Sequence, residues 1–599
     1  MMQFRFKWSV NLFFLFLVAP IILVALEIKT NDESSNPEAP PMDNIIDPRH
    51  ISSNDKTTAF RFRSDFNIPL NEVSGWSADV NISPSQTVDS PFRIRFEVET
   101  DTTLFRRQYS LQYRWNEGEW KYVEAQHFPY PSSASPTVSI IGCDAYFFGE
   151  EADNLLHVSR LPSHPGAGIT MAPTTPGWIP TTRQGASAEW EWALVIRRWA
   201  DESYMVNSGD KFAFRMVDHL GQPLSGLSPE FTVEVPEKHL GGTFVETPAR
   251  IGPYENSNGE LYFIMEPTET YDIFMMLKSI DGGKSWFEAD PTNRPKIRDL
   301  EGVGSVMSED GIIHIVHQIS EGIYYHAFAT SGNDQRKDRW IVESELLASH
   351  DKPPTQTADI TLRPDGSLVA VYAFENQLQY RIREPNGKWT NASNLNHNDP
   401  AGFTNPSVVC LPDGSVDFVY KSLDGTGWYR KLLPDNSLTQ AEPFAHNLGT
   451  SGEENIAILP PVFWQEKQST VAIFRQSDGF LYLSYKQNGN SWSKPIRISD
   501  RTVVTNAVDS QQTGADVVVF NEQLIVSFIG EESRDIYIVS INDFKHIPKP
   551  TNIESGIDGS WLRGNILYNQ SNSPSYGFIY DAGSKGGSGF NKFTSYPLE

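Results

Sequence analysis

A turn followed by an apolar strand recurs through residues 241–599, and this repeat decides what the chain can fold into. Asn258-Gly-Glu-Leu-Tyr-Phe-Ile, Asp310-Gly-Ile-Ile-His-Ile-Val, Asp365-Gly-Ser-Leu-Val-Ala-Val and Asp413-Gly-Ser-Val-Asp-Phe-Val are clear copies. Weaker copies begin near Lys467, Asn521 and Ser573, and successive starts lie 48 to 55 residues apart. A period near 50 residues in an all-β segment is that of β-propeller blades with four strands each. The spacing predicts a seven-bladed β-propeller over 241–599, with six blades as the alternative because the last copies are weak. Residues 241–245 are expected to add a strand to the last blade and close the ring.

Upstream, the pattern changes but stays β. Phe92-Arg-Ile-Arg-Phe-Glu-Val, Tyr109-Ser-Leu-Gln-Tyr-Arg-Trp, Trp190-Glu-Trp-Ala-Leu-Val-Ile and Phe212-Ala-Phe-Arg-Met-Val alternate apolar and polar residues, marking strands with one buried face. Together with a Gly/Pro-rich excursion over 150–186, they predict an antiparallel β-sandwich over 59–236. It shows no cluster of catalytic residue types, so its expected role is a spacer or a ligand-binding platform. The fold class is therefore all-β.

At the N-terminus, Arg5 and Lys7 precede an uncharged run, Trp8 to Leu26, long enough to span one hydrocarbon core. Residues 1–26 read as a signal anchor, with a cleaved signal peptide as the alternative. Residues 27–58 are polar and Pro-containing and read as a disordered linker. The expected location is the cell membrane, single-pass, with the bulk of the chain outside the cytoplasm; the alternative is secretion.

The 599 residues carry 49 basic and 75 acidic side chains, a formal charge of −26. Such a surface repels polyanions, so a general nucleic-acid role is excluded. The two cysteines, Cys143 and Cys410, fall in different predicted domains and cannot build a disulfide framework or a Cys-based zinc site. No cofactor and no metal are implied, and a monomer is expected.

One hairpin is more specific. Ser279-Ile-Asp281-Gly-Gly283-Lys-Ser-Trp286 is a full S-x-D-x-G-x-x-W, echoed in Asn386-Gly-Lys-Trp389, Ser422-Leu-Asp424-Gly-Thr-Gly-Trp428 and Gly489-Asn-Ser-Trp492. Asp281 can accept backbone N–H bonds, Gly283 can take positive φ, and Trp286 can pack under the turn. Asn116-Glu-Gly-Glu-Trp120 in the N-terminal part is similar. The motif matches the Asp-box, or bacterial neuraminidase repeat, and residues 241–599 resemble the sialidase superfamily. Asp-boxes staple hairpins at the blade periphery and occur in lectins too, so they speak for fold.

The resemblance implies three arginines gripping a carboxylate, an Asp acid/base and a Tyr nucleophile activated by a Glu. Arg250-Ile251-Gly252-Pro253 is similar to the family's Arg-Ile-Pro, with one residue inserted. By resemblance Arg250 and Arg563 belong to the triad, and Arg381, Arg430 and Arg475 are candidates for the middle member. Asp272 takes the acid/base place, Tyr580 that of the nucleophile, and Glu453 or Glu454 that of its partner.

Apart from the family, the first strand of each blade should line the central channel. Glu246, Asp359, Asn405, Asp509, Gln512, Asp516, Trp561, Arg563 and Asn565 lie on or near those segments. Amides and carboxylates bind hydroxyls, an indole covers a sugar's apolar face, and a carboxyl pair can transfer protons. The expected function is a glycan-acting, sialidase-like glycoside hydrolase on an anionic sugar. Arg250 and Arg563 grip the sugar, with Trp561, Asn405 and Gln512 beside it, while Glu246, Asp272 and Asp509 move protons. A non-catalytic glycan-binding or adhesion protein is the second reading. A polysaccharide lyase with His317 as base and Tyr325 as acid is the third. His314 and His317 should point to opposite faces of one strand.

Overall fold

The computed structural model describes residues 55–598 except 64–66, 101–107, 126–136, 177–185, 199–204, 242–248, 266–273, 291–294, 296–301, 320–321, 333–338, 350–357, 375–376, 397–402, 449–457, 488–489, 505–513, 560, 571–572 and 583–590. Among these the chain is β throughout, with a single 3-10 turn, Gln465–Lys467. No helix among them is long and apolar enough to cross a membrane, and the apolar N-terminal run lies outside them.

The N-terminal part has two sheets, one of eight strands and one of five. Phe92, Ile94, Phe96 and Val98 on the larger sheet share an apolar core with Leu111, Phe212, Phe214 and Phe231 on the smaller. Alternation predicts that the intervening residues face water. Instead Phe92–Thr100 and Ala186–Ile196 are buried almost along their whole length. The excursion predicted as a loop covers the polar side: Arg95 donates to the Asp153 carbonyl, and the Leu155 and Leu156 amides donate to Glu189. Under this cover, Glu191 joins Arg63 at 3.4 Å, Arg93 at 3.1 Å and Arg95, all with no exposed side chain. Burial of charge is tolerated only with such pairing.

From Tyr254 onward, six four-stranded sheets and one three-stranded sheet follow in order, every one an antiparallel meander. The seven turn-and-strand starts read from the sequence, weak copies included, each fall on or beside the turn between the first two strands of a separate sheet. The arrangement is compatible with a β-propeller, because neighbouring sheets share cores in a closed series. Val371 and Phe418 join the third sheet to the fourth, Phe444 and Phe474 the fourth to the fifth, and Ile473 and Val526 the fifth to the sixth. Ile525 and Phe578 join the sixth to the seventh, and Trp561 and Ile579 of the seventh share a cluster with Phe263 and Leu277 of the first. The three-stranded last sheet is completed from upstream. The Leu240 amide donates to the Asn591 carbonyl, and Asn591 donates back to the Gly241 carbonyl. The expected closing segment therefore begins slightly earlier, at 238–241.

The Asp-box fastens one sheet to another. Asp281 accepts bonds from Ser279, the Ser285 amide and the Ser285 hydroxyl, and the indole of Trp286 donates to the Gly283 carbonyl at 3.1 Å. Gly283 has φ +85°, and a Cβ there would meet the Phe593 ring at 2.1 Å. Trp286 packs on Phe593 of the last sheet, as Trp389 packs on Tyr325 and Trp492 on Tyr429, each reaching the preceding sheet. The echo at Ser422–Trp428 differs: it joins the second and third strands, not the third and fourth.

The two parts meet at the Asp-box. Buried Arg198 donates to the His239 carbonyl and to the Trp286 carbonyl (2.6 Å), and Asp89 lies 2.9 Å from His239 Nε2. Burial lowers the Arg198 pKa to about 10, with Asp89 opposing the shift. Arg198→Met removes two hydrogen bonds from a charged donor, each contributing about 1.5 kcal/mol or more, a loss of about 3 kcal/mol. Calorimetry should show the transition moving down or splitting in two; an unchanged profile would contradict the role of this junction.

Candidate functional site

The first strands of all seven C-terminal sheets line one cavity of about 770 Å³, from Glu255 in the first sheet to Asn565 in the seventh. Its walls mix Met307, Leu362, Val462 and Val517 with the polar groups of Arg363, Gln465 and Asn565, and Tyr568 stands at the rim. The lining comes from the second halves of these strands and the turns that follow. The cavity thus lies at the end opposite the loops leading into the first strands.

At its inner end is Arg250, half-buried. Its Nη2 donates to the Pro461 carbonyl of the fifth sheet at 2.8 Å. Asp359 of the third sheet and Asp516 of the sixth act on it through space, and no ion pair within 4 Å joins them to it among the described residues. Both carboxyls are fully buried. Burial pushes each pKa up, opposed by Arg250 for Asp359 and first by Arg563 for Asp516. Each also clamps the next sheet: Asp359 accepts the Ser407 hydroxyl (2.5 Å) and Val408 amide (3.0 Å), and Asp516 the Gly564 amide (2.7 Å) and Tyr576 hydroxyl (3.2 Å). Tyr254 completes this layer through Ser305 at 2.9 Å. These buried carboxyls are therefore committed to structure, whereas Arg250 spends one of its donor atoms on a carbonyl and presents its guanidinium to the cavity.

The other expected site residues are placed as follows. Arg563 is buried and donates to the Leu562 and Ala515 carbonyls. Asn405 is buried at a bulge in its strand, at φ +53°. Trp561 has no exposed surface and packs in the core between the seventh and first sheets, so its ring offers no face to a sugar. Tyr580 sits on a middle strand, and its hydroxyl points at Glu554 on the outer strand of the sixth sheet (3.4 Å). Burial and Glu554 push its pKa up, the reverse of what a nucleophile needs. Arg381 and Arg430 occupy equivalent third-strand positions and donate to their own sheet and to the preceding one, Arg430 to Thr439 (2.7 Å) and Leu395 (2.6 Å). Arg475 donates to the Val503 carbonyl. Glu246, Asp272, Glu453, Glu454, Asp509 and Gln512 lie outside the described residues.

His314 and His317 do face opposite ways, which separates the expected lyase pair. Tyr325 bonds His314 Nδ1 at 2.7 Å, not His317. His317 instead lies between Phe274 and His326, with neither ring nitrogen partnered among the described residues. Burial lowers the His317 pKa, helped by His326, and takes that of His326 down to about 3.

Glu255, Arg363 and Tyr568 were not singled out from the sequence. Aligning the turns would have found Arg363, since Arg363-Pro-Asp-Gly and Leu411-Pro-Asp-Gly occupy the same place in successive repeats. Glu255 follows the Arg250 segment directly, but it is held by the Tyr568 and Asn569 amides and by Gln570, closing the first sheet on the seventh.

No family model matches the sequence, and no curated protein matches it. Among solved structures it is similar to a lectin from Burkholderia pseudomallei, at 9% identity and TM-score 0.44, covering 59% of this chain and 97% of the lectin. It is similar to a polysaccharide lyase of the PL25 ulvan lyase family, at 9% identity and TM-score 0.39, over 60% of this chain and 95% of the lyase. A Hadza microbial sialidase aligns at 12% identity and TM-score 0.32, covering 90% of this chain and 99% of the sialidase.

The buried histidines predict acid lability. Unfolded imidazoles take up protons as pH falls through about 6.5, while folded His317 and His326 stay neutral until much lower pH. Each thus removes about 1.4 kcal/mol of stability per pH unit below 6.5. Melting temperature should fall between pH 7 and pH 5, and less steeply in His317→Leu/His326→Leu; parallel pH profiles would contradict this account.

Proposed function

We propose that the chain is a glycan-acting protein: a β-sandwich over 59–236 and a seven-bladed propeller over 241–599, held outside the cytoplasm by its N-terminal segment. Its central cavity receives an acidic sugar. The observation that carries this reading is Arg250, a guanidinium with one backbone bond at the inner end of a cavity walled by both amides and apolar side chains. A planar guanidinium suits a carboxylate, amides suit hydroxyls, and aliphatic walls suit a sugar's apolar face. Recognition is the role that the described side chains support best, because Asp359 and Asp516 already serve the neighbouring strands and Tyr580 points elsewhere.

Turnover is the second reading, favoured by the likeness of Arg250-Ile251-Gly252-Pro253 to the sialidase Arg-Ile-Pro segment. It needs the sialidase-like assignments of Asp272, Glu246 and Asp509, with Arg563, Asn405 and Gln512 supporting the site.

A glycan array with sialyl and uronyl ligands, joined to a hydrolysis screen, tests both. Arg250→Lys keeps the positive charge between the two buried carboxyls but loses the bidentate fork, and should weaken acidic-glycan binding about tenfold. Tyr568→Ala should weaken it by a smaller factor. If both variants bind like the parent, the cavity is not the site. Sugar release that disappears in Asp272→Ala while binding persists would establish turnover.

A further inference from the structure

The turn Asn116-Glu-Gly-Glu-Trp120 resembles the Asp-box in sequence, yet its tryptophan goes to a different place. Trp286 is buried, whereas Trp120 lies half-exposed on the outer face of the five-stranded sheet. The turn fixes it there: Asn116 takes φ +50°, its amide donates to the Lys211 carbonyl, its Oδ1 accepts from the Lys211 amide and its Nδ2 donates to Asp210. Two guanidiniums flank the ring, Arg215 at 4.1 Å and Arg114 at 5.2 Å from its centre.

These charges are only partly compensated. Arg215 directs Nε and Nη2 to one neutral acceptor, Gln112 Oε1. Arg114 meets Glu230 at 3.6 Å, a carboxylate shared with Lys211 at 3.7 Å, and its Nε has no hydrogen-bond partner among the described residues. Burial lowers the Arg215 pKa, and the charge of Arg114 lowers it further. Tyr122, about half exposed, extends the aromatic surface, while Glu117 and Glu119 stay at the turn. A chain of net charge −26 thus gathers two like charges around one indole on an open sheet face.

We propose that this face of the N-terminal part is a second binding surface, independent of the central cavity, for an acidic polysaccharide. The indole stacks on a sugar ring, and Arg114 and Arg215 take the carboxylate or sulfate of that residue or the next. Among the described residues this face lacks the row of cations that tracks a nucleic-acid backbone, and the overall charge opposes such a partner.

The test titrates the full chain with polygalacturonate, dextran sulfate, neutral dextran and single-stranded DNA by calorimetry, at about 50 mM and about 200 mM salt. The expected result is binding of one or both acidic polysaccharides, weakened by salt and absent for neutral dextran. Which of the two binds tells carboxylate from sulfate. Arg114→Gln/Arg215→Gln and Trp120→Ala should each weaken that binding about tenfold, both in the parent and in an Arg250→Lys/Tyr568→Ala background that removes the cavity's own share of acidic-sugar binding. Should the double variant melt early, Arg114→Gln alone serves, because its partner is a surface ion pair. Equal binding of neutral dextran, tighter binding of DNA, no binding of either polyanion, or binding lost only in the cavity variants would overturn the proposal.

Discussion

Everything in the C-terminal part depends on closure of its ring of sheets. A four-stranded meander of this size has two apolar faces and cannot cover either alone. Each gains its core only from its neighbours, so an open series would leave the first and last faces in water. Closure removes those ends. The His239–Gly241 segment runs along the last strand, Trp286 packs on Phe593, and Glu255 takes the amides of Tyr568 and Asn569. The same segment bears the Arg198 and Asp89 contacts, so closing the ring and attaching the N-terminal part are one structural event.

Charge in this protein is used first as fastening. Arg381 and Arg430 bolt neighbouring sheets, Asp359 and Asp516 clamp successive channel strands, and Glu191 holds three arginines under the excursion. Against that background, two places stand out because their cations are not fully used: Arg250 in the cavity and the Arg114–Arg215 pair around Trp120. Buried, satisfied groups explain stability, and partly satisfied, accessible ones are where a ligand can add interactions.

The repeat was legible in sequence because its Asn-Gly and Asp-Gly turns fall at equivalent hairpins, and even the weak copies at Lys467, Asn521 and Ser573 mark real sheets. The Asp-box was legible for the same local reason. What sequence could not show is which way a polar residue on a strand faces when both sides are covered. Arg93 and Arg95 alternate like surface residues yet are buried, because the covering segment at 150–170 is distant in sequence. Trp561 and Tyr580 failed likewise: their positions in the repeat were right, but packing against the adjacent sheet decided where their rings went. Arg250 and Arg363 both line the cavity; a family-like motif drew attention to Arg250, whereas Arg363 shows itself only when the Pro-Asp-Gly turns of successive repeats are aligned.

The central claim is that closure of the ring brings an accessible guanidinium to the inner end of a sugar-sized hollow. A crystal structure with an acidic monosaccharide, sialic acid or a uronic acid chosen by affinity, tests it most directly. The account predicts the ligand's carboxylate about 3 Å from Arg250, within ordinary charged hydrogen-bond range. Ligand bound elsewhere, with Arg250 untouched at saturation, would contradict it.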